Sequence, residues 1–249
     1  MIMIETVENR LKRLLKTTVE KESNLHQLFD DIADILLLHT EIAIGDSIRY
    51  TIEEIEFYYF KNGCFNNSIY NCSYPRNSQA CDFLWHYSGV DICFESTNDS
   101  FGGVLIRSLK KRTIENGECT NDELIGGPMR CATDLTNTSM KTGNRMELVI
   151  NEQPIKVATP QTTIRQGVEA DYEIKNEEID PKVLFCYYIP QDNPQWARKR
   201  KNVPVLAKES SNQSVRKVFK QKDVTDYYKD NPEDRILNLK KKLQKKNTR

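Results

Sequence analysis

The chain has 249 residues, of which 38% are apolar and 29% charged, and its 36 Lys+Arg balance 36 Asp+Glu. That is enough apolar material for the core of one large or two small domains, and it excludes collagen-like, coiled-coil and wholesale disordered chains. No apolar run approaches the roughly 20 residues of a membrane span, so no membrane partner is expected.

The zero net charge conceals an asymmetry. Residues 195–249 hold 17 Lys+Arg and 6 Asp+Glu, a charge of +11, which leaves −11 on residues 1–194. A basic extension on an acidic body either holds a phosphate backbone or folds against that body. The seven cysteines are an odd number with no C-x-x-C pair and no histidine at ligand spacing. This argues against a zinc site and against a disulfide framework, so neither metal nor cofactor is expected. Cys93 and Cys186 lie in apolar runs and read as small core residues, whereas Cys64, Cys72 and Cys81 fall in a polar stretch. The opening M-I-M-I-E-T-V-E-N-R lacks the basic and apolar regions of a signal peptide, which makes a cytoplasmic protein the expectation.

In chain order, residues 4–38 read as two amphipathic helices. Val7, Leu11, Leu14, Leu15 and Val19 recur at helical spacing, and Leu25, Leu28, Ile32, Ile35 and Leu36 continue the pattern after Ser23-Asn24. His26 and His39, with no nucleophile or ligand partner nearby, read as surface or capping residues. A turn at Gly45 leads into the β-branched and aromatic run Ile52–Tyr59. Residues 61–80 turn to Asn, Ser, Gly, Cys and Tyr, a loop or lid of functional length. An aromatic-rich turn from Phe83 to Ser96 contains a strand at 92–95, and Gly103–Leu109 is the next strand. After a polar stretch, Gly126-Gly127-Pro128 opens a short helix through Leu135, and 145–150, 155–158 and 183–189 complete the strand set. Beyond Pro190 the chain is polar and basic.

Two charges interrupt the apolar strands: Glu56 between Ile55 and Phe57, and Arg107 between Ile106 and Ser108. Buried singly, either is costly, so facing one another or a shared pocket is the economical arrangement. Strand alternation also permits Glu53, Glu54 and Glu56 on a solvent face, with Arg107 covering an edge.

Four motifs, in order, resemble the alkyladenine (3-methyladenine) DNA glycosylase family over about residues 43–190. Glu54-Ile55-Glu56-Phe57-Tyr58 is similar to its E-x-E-A-Y strand, and Trp85 to Glu95 to its aromatic Y-G-M-x-x-C-x-N segment. Val104-Leu105-Ile106-Arg107-Ser108-Leu109 is similar to its V-L-L-R-A-L strand, and Gly126 to Leu135 to its S-G-P-x-K/R-L-C-x-A-L helix. Arg165-Gln166-Gly167-Val168 and Pro181 to Tyr187 echo its closing elements.

The resemblance implies an α+β fold, a single domain with a curved antiparallel sheet and flanking helices. A helical segment at 1–42 would precede the glycosylase-like part at 43–190, and a basic extension at 191–249 would follow. It implies N-glycosidic hydrolysis with Glu56 as the base that activates water and Arg107 as its charge partner. Tyr58 and Trp85 would stack on a flipped base, with His86, Tyr87, Ser88 and Glu95 around the substrate. Arg130 and the basic run Arg198, Lys199, Arg200 and Lys201 would meet the nucleic-acid backbone, DNA being the expected partner.

The chain also departs from the family pattern. The wedge tyrosine is replaced by Ser88, with Tyr87 adjacent, and the pocket histidine has no counterpart in 66–73. The gating asparagine is replaced by Glu95, which as an acceptor favours a base with an exocyclic amine. His86 is additional and reads either as a substrate contact or acid, or as a satisfied core residue. A non-catalytic nucleic-acid-binding module on the same fold, and an N-glycosidase for single strands, RNA or nucleosides, are the alternatives.

Overall fold

The computed structural model describes residues 5–21, 24–62, 76–115, 117–163, 165, 174–175, 178–179 and 185–190. The expected loop at 61–80 is thus described only at its ends, and Cys64, Cys72, the stretch 66–73 and everything from 191 onward, Arg198 to Lys201 included, lie outside the described residues.

The helices form where the periodicity places them. Helix α1 (Val7–Lys16) is capped by Thr6, whose hydroxyl accepts from the Asn9 N–H at 3.2 Å, and it buries Leu11, Leu14 and Leu15. Such a cap is worth about 1 kcal/mol. Helix α2 (Leu25–Leu38) buries Leu25, Leu28, Phe29, Ile32, Ile35 and Leu36, and His39 is its C-cap residue. Both helices share one core with the sheet, so the N-terminal segment is packed on the rest.

The sheet is a curved antiparallel half-barrel. Its path runs β3 (Phe83–His86), β4 (Gly89–Cys93), β5 (Ser100–Glu115), β2 (Ile48–Lys61), β1 (Thr40–Ile44) and β7 (Met146–Ile150). Strand β6 (Glu118–Gly126) pairs with β5, and β11 (Cys186–Tyr188) joins β2 to β8 (Gln161–Thr163). A small separate pair is formed by β9 (Ile174–Lys175) and β10 (Glu178–Ile179). Helix α3 (Pro128–Thr142) extends a full two turns past the expected end at Leu135. The expected aromatic turn is the β3–β4 hairpin, the polar stretch before Gly126 is strand β6, and 155–158 form no strand.

Two compensating bulges in the central pair organise the site. Strand β2 gains a residue at Glu53, between the pairs Ile52↔Leu109 and Glu54↔Ser108, and β5 gains one at Arg107, between Ser108 and Ile106. Each bulge marks a change of outer partner: β2 pairs with β1 before it and with β11 after it, and β5 pairs with β4 before it and with β6 after it. A bulge bends and twists the strand that carries it, which is what lets one long pair serve four neighbours in a curved sheet.

The bulge also rescues the hydrophobic frame. Ile52 and Ile55 are three residues apart, so in a regular strand they would face opposite ways. Both are fully buried in the single core cluster, together with Tyr50, Phe57 and Tyr59. Phe57 stacks on Phe29 of α2 at 4.3 Å, and the Tyr50 hydroxyl donates to Asp134 of α3 at 2.7 Å. The opposite face is left with Glu54, Glu56, Tyr58, Leu105, Arg107 and Ser108.

Candidate functional site

Glu56 and Arg107 meet. Arg107 Nη1 donates to Glu56 Oε2 at 3.1 Å, and Arg107 Nε donates to Glu54 Oε1 at 3.2 Å. The Tyr58 hydroxyl donates to the same Glu56 oxygen at 2.9 Å, Ser108 Oγ to Glu54 Oε2 at 3.2 Å, and Cys186 Sγ contacts Glu54 Oε1 at 3.6 Å. The Glu56 side chain is 0% exposed, that of Glu54 5% and that of Arg107 12%. The solvated-face alternative for these charges therefore does not apply. Burial alone would lower the Arg107 pKa, but Glu56 and then Glu54 outweigh it and hold the guanidinium above its ordinary range. The Tyr58 phenol is pushed well up, by burial first and then by the Glu56 charge, so it remains a donor.

Registered partners carry this face across the sheet. Asp91, Leu105, Glu56, Cys186 and Thr163 lie in one row on β4, β5, β2, β11 and β8. Asp91 is 1% exposed and is bridged by Arg76 Nη1 at 2.5 Å and His86 Nε2 at 2.9 Å. Gly103 makes this possible, because a Cβ there would collide with the Asp91 carboxylate and the Arg76 guanidinium. Glu53, the extra residue of the β2 bulge, accepts from Lys156 Nζ at 2.8 Å and Thr51 Oγ1 at 2.5 Å. Arg165, 3% exposed, lies over the Tyr58 ring at 4.7 Å and donates to Phe57 O at 3.3 Å. Four buried carboxylates thus share a sheet face with Arg76, Arg107, Lys156 and Arg165. An arrangement of that density is sustainable only because cations and hydroxyls are distributed among them.

No protein-family model and no curated protein matches this sequence.

The remaining expected residues do not all converge on Glu56. Trp85 lies two residues from Phe83, which is in register with Ile92, Val104 and Phe57, so both rings are on the helix side of the sheet. There Trp85 Nε1 donates to Thr136 Oγ1 of α3 at 3.1 Å. Expected beside Glu56, the indole stands behind the sheet instead, because strand alternation on β3 gives Leu84 and His86 the other face. His86 is on the Glu56 side, but both its nitrogens are engaged: Nδ1 accepts from the Ser88 N–H at 3.2 Å and Nε2 faces Asp91. It is a satisfied residue that holds Asp91. Tyr87 is 83% exposed at the β3–β4 hairpin, with Ser88 half-buried beside it. Glu95 accepts from the Ala80 N–H at 2.9 Å, and its own N–H donates to Leu15 O, so it ties the segment after β4 to α1. Arg130 is exposed in the first turn of α3.

Sequence reasoning missed Glu54, Ser108, Asp91, Arg76 and Lys156 as members of this face. The available signal was the spacing I-E-E-I, where two apolar positions three apart in a strand imply a bulge and two adjacent carboxylates on the polar side.

Proposed function

We propose that the chain is a hydrolase of N-glycosidic bonds acting on nucleic acid, DNA foremost, with an alkyladenine glycosylase-like form of the curved sheet. The observation that carries this reading is the Glu56 carboxylate, held at 3.1 Å by Arg107 from the neighbouring strand and hydrogen-bonded by Tyr58. Glycosidic cleavage passes through an oxocarbenium-like transition state, which an anionic oxygen beside the sugar stabilises. In the step assigned to Glu56, water oxygen bonds to C1′ as the C1′–N bond breaks. The water proton passes to the carboxylate, and the bonding pair leaves with the base. Arg107 keeps the carboxylate charged despite its burial, and Tyr58 orients it. Purified chain is expected to leave abasic sites in alkylated or otherwise modified DNA, and Glu56→Gln to abolish that release while the circular dichroism spectrum stays native. Release that survives the substitution contradicts the role of Glu56.

A second reading rests on the complete burial of Glu56 and the position of Trp85 behind the sheet. Here the charges on this face are structural and the chain binds nucleic acid without chemistry through its basic residues 195–249. Salt-dependent binding that disappears when 196–249 are deleted, with no base released by the intact chain, is its signature.

A further inference from the structure

On the helix side of the sheet a groove of about 480 Å³ opens between β3, α3 and β7, lined by Phe83, Trp85, Thr136, Ser139, Met140 and Arg145, among others. That volume is within the range of small-ligand sites. Trp85 is 45% exposed and Met140 76%, so both present apolar surface to the groove. Arg145 has no hydrogen-bond or ion-pair partner among the described residues. The two hydroxyls are polarised in one sense. Thr136 Oγ1 donates to Ala132 O at 2.8 Å and Ser139 Oγ donates to Asn144 O at 2.6 Å. With each hydrogen committed to a backbone carbonyl, both present only acceptor capacity to a ligand, Ser139 with its lone pairs and Thr136 with the one that the Trp85 indole N–H, at 3.1 Å, does not occupy.

The groove therefore offers a planar stacking surface, hydrogen-bond acceptors and one unpaired cation. We infer that it binds a nucleotide with an amine-bearing base, its ring against Trp85, its exocyclic amine toward Thr136 and Ser139, and its phosphate on Arg145. Stacking on tryptophan tolerates any base, so the acceptor pair sets the preference for adenine or cytosine over uracil. This site lies on the opposite face of the sheet from Glu56 and does not depend on glycosidic cleavage.

The chain contains two tryptophans, Trp85 and Trp196, so a Trp196→Phe variant leaves the emission to Trp85 alone. In that background, adenosine 5′-monophosphate is expected to quench the emission saturably. Arg145→Ala should weaken binding by about tenfold or more, the worth of a charge-assisted hydrogen bond. Neutral adenosine should bind weaker by a similar factor, uridine 5′-monophosphate should also bind weaker, and inorganic phosphate alone should leave the emission unchanged. Absence of quenching, equal binding of adenosine and its monophosphate, or equal binding of the uridine nucleotide would each overturn the assignment. Base release is read in a separate assay, so failure here leaves the reading of Glu56 standing, and the converse also holds.

Discussion

Replacing Arg107 by leucine removes a cation that touches both Glu54 and Glu56, at 3.2 and 3.1 Å. Ser108 and Tyr58 still donate one hydrogen bond to each carboxylate, but neither supplies charge. Removing one partner of a buried pair costs about 3–5 kcal/mol, because the other charge is left in a poor dielectric. With a urea dependence of about 2–3 kcal/mol/M for a chain of this size, the unfolding midpoint should fall by roughly 1–2 M. One further result should accompany this. Adding Glu54→Gln and Glu56→Gln should restore most of the loss, since amides need no counter-charge. Equilibrium urea unfolding followed by circular dichroism measures both. A midpoint unchanged by Arg107→Leu would refute the reasoning, because it would mean the carboxylates find water as readily as they find the guanidinium.

Other consequences follow from the same network. Lys156, whose pKa burial lowers against the opposing pull of Glu53, holds Glu53 at 2.8 Å; Lys156→Met should cost about 3 kcal/mol in urea unfolding, with Glu53→Gln added in cis recovering most of it, and an unaffected midpoint would count against a buried pair. Tyr50, Tyr58, Tyr59 and Tyr187 have phenols raised by burial first, and of these Tyr58 and Tyr187 are raised further by Glu56 and Asp30. Of the 11 tyrosines these four should stay protonated when exposed phenols ionise near about 10. Raised folded values give stability that is intact below the unfolded value and lost as pH climbs past it, so alkaline unfolding should release their protons in one late step at 295 nm. Simultaneous titration of all the tyrosines in the native protein would rule this out.

Much of the fold was legible in the sequence, and the failures have physical causes. The two N-terminal helices announce themselves because each has a full apolar stripe with charges behind it. Strands β2 and β5 read correctly at their centres, since branched and aromatic residues dominate there. Their ends did not, because Arg49 interrupts Ile48–Thr51 and the consecutive cations Lys110, Lys111 and Arg112 open the last stretch of β5, so neither end shows a strand period. Strand β6 is an exposed partner of β5 written in Glu, Asn and Asp, so neither propensity nor periodicity marks it. The segment 155–158 has strand-like composition but contributes one backbone bond, from Ile155 N–H to Leu38 O, and places Lys156 against Glu53. At the site, the pairing of Glu56 with Arg107 was readable from the cost of burying either alone. The face of Trp85 was not, because it depends on the register linking Phe83 to Phe57 through two intervening strands.

The central claim is that Glu56 does chemistry as well as accept hydrogen bonds. It is tested most directly by incubating wild-type and Glu56→Gln chains with a panel of alkylated, deaminated and unmodified DNA, duplex and single-stranded, and counting alkali-labile sites. Strand breaks are expected from the wild type on at least one modified substrate and none above background from Glu56→Gln. Equal breakage by the two proteins, or none by the wild type across the panel, would contradict it.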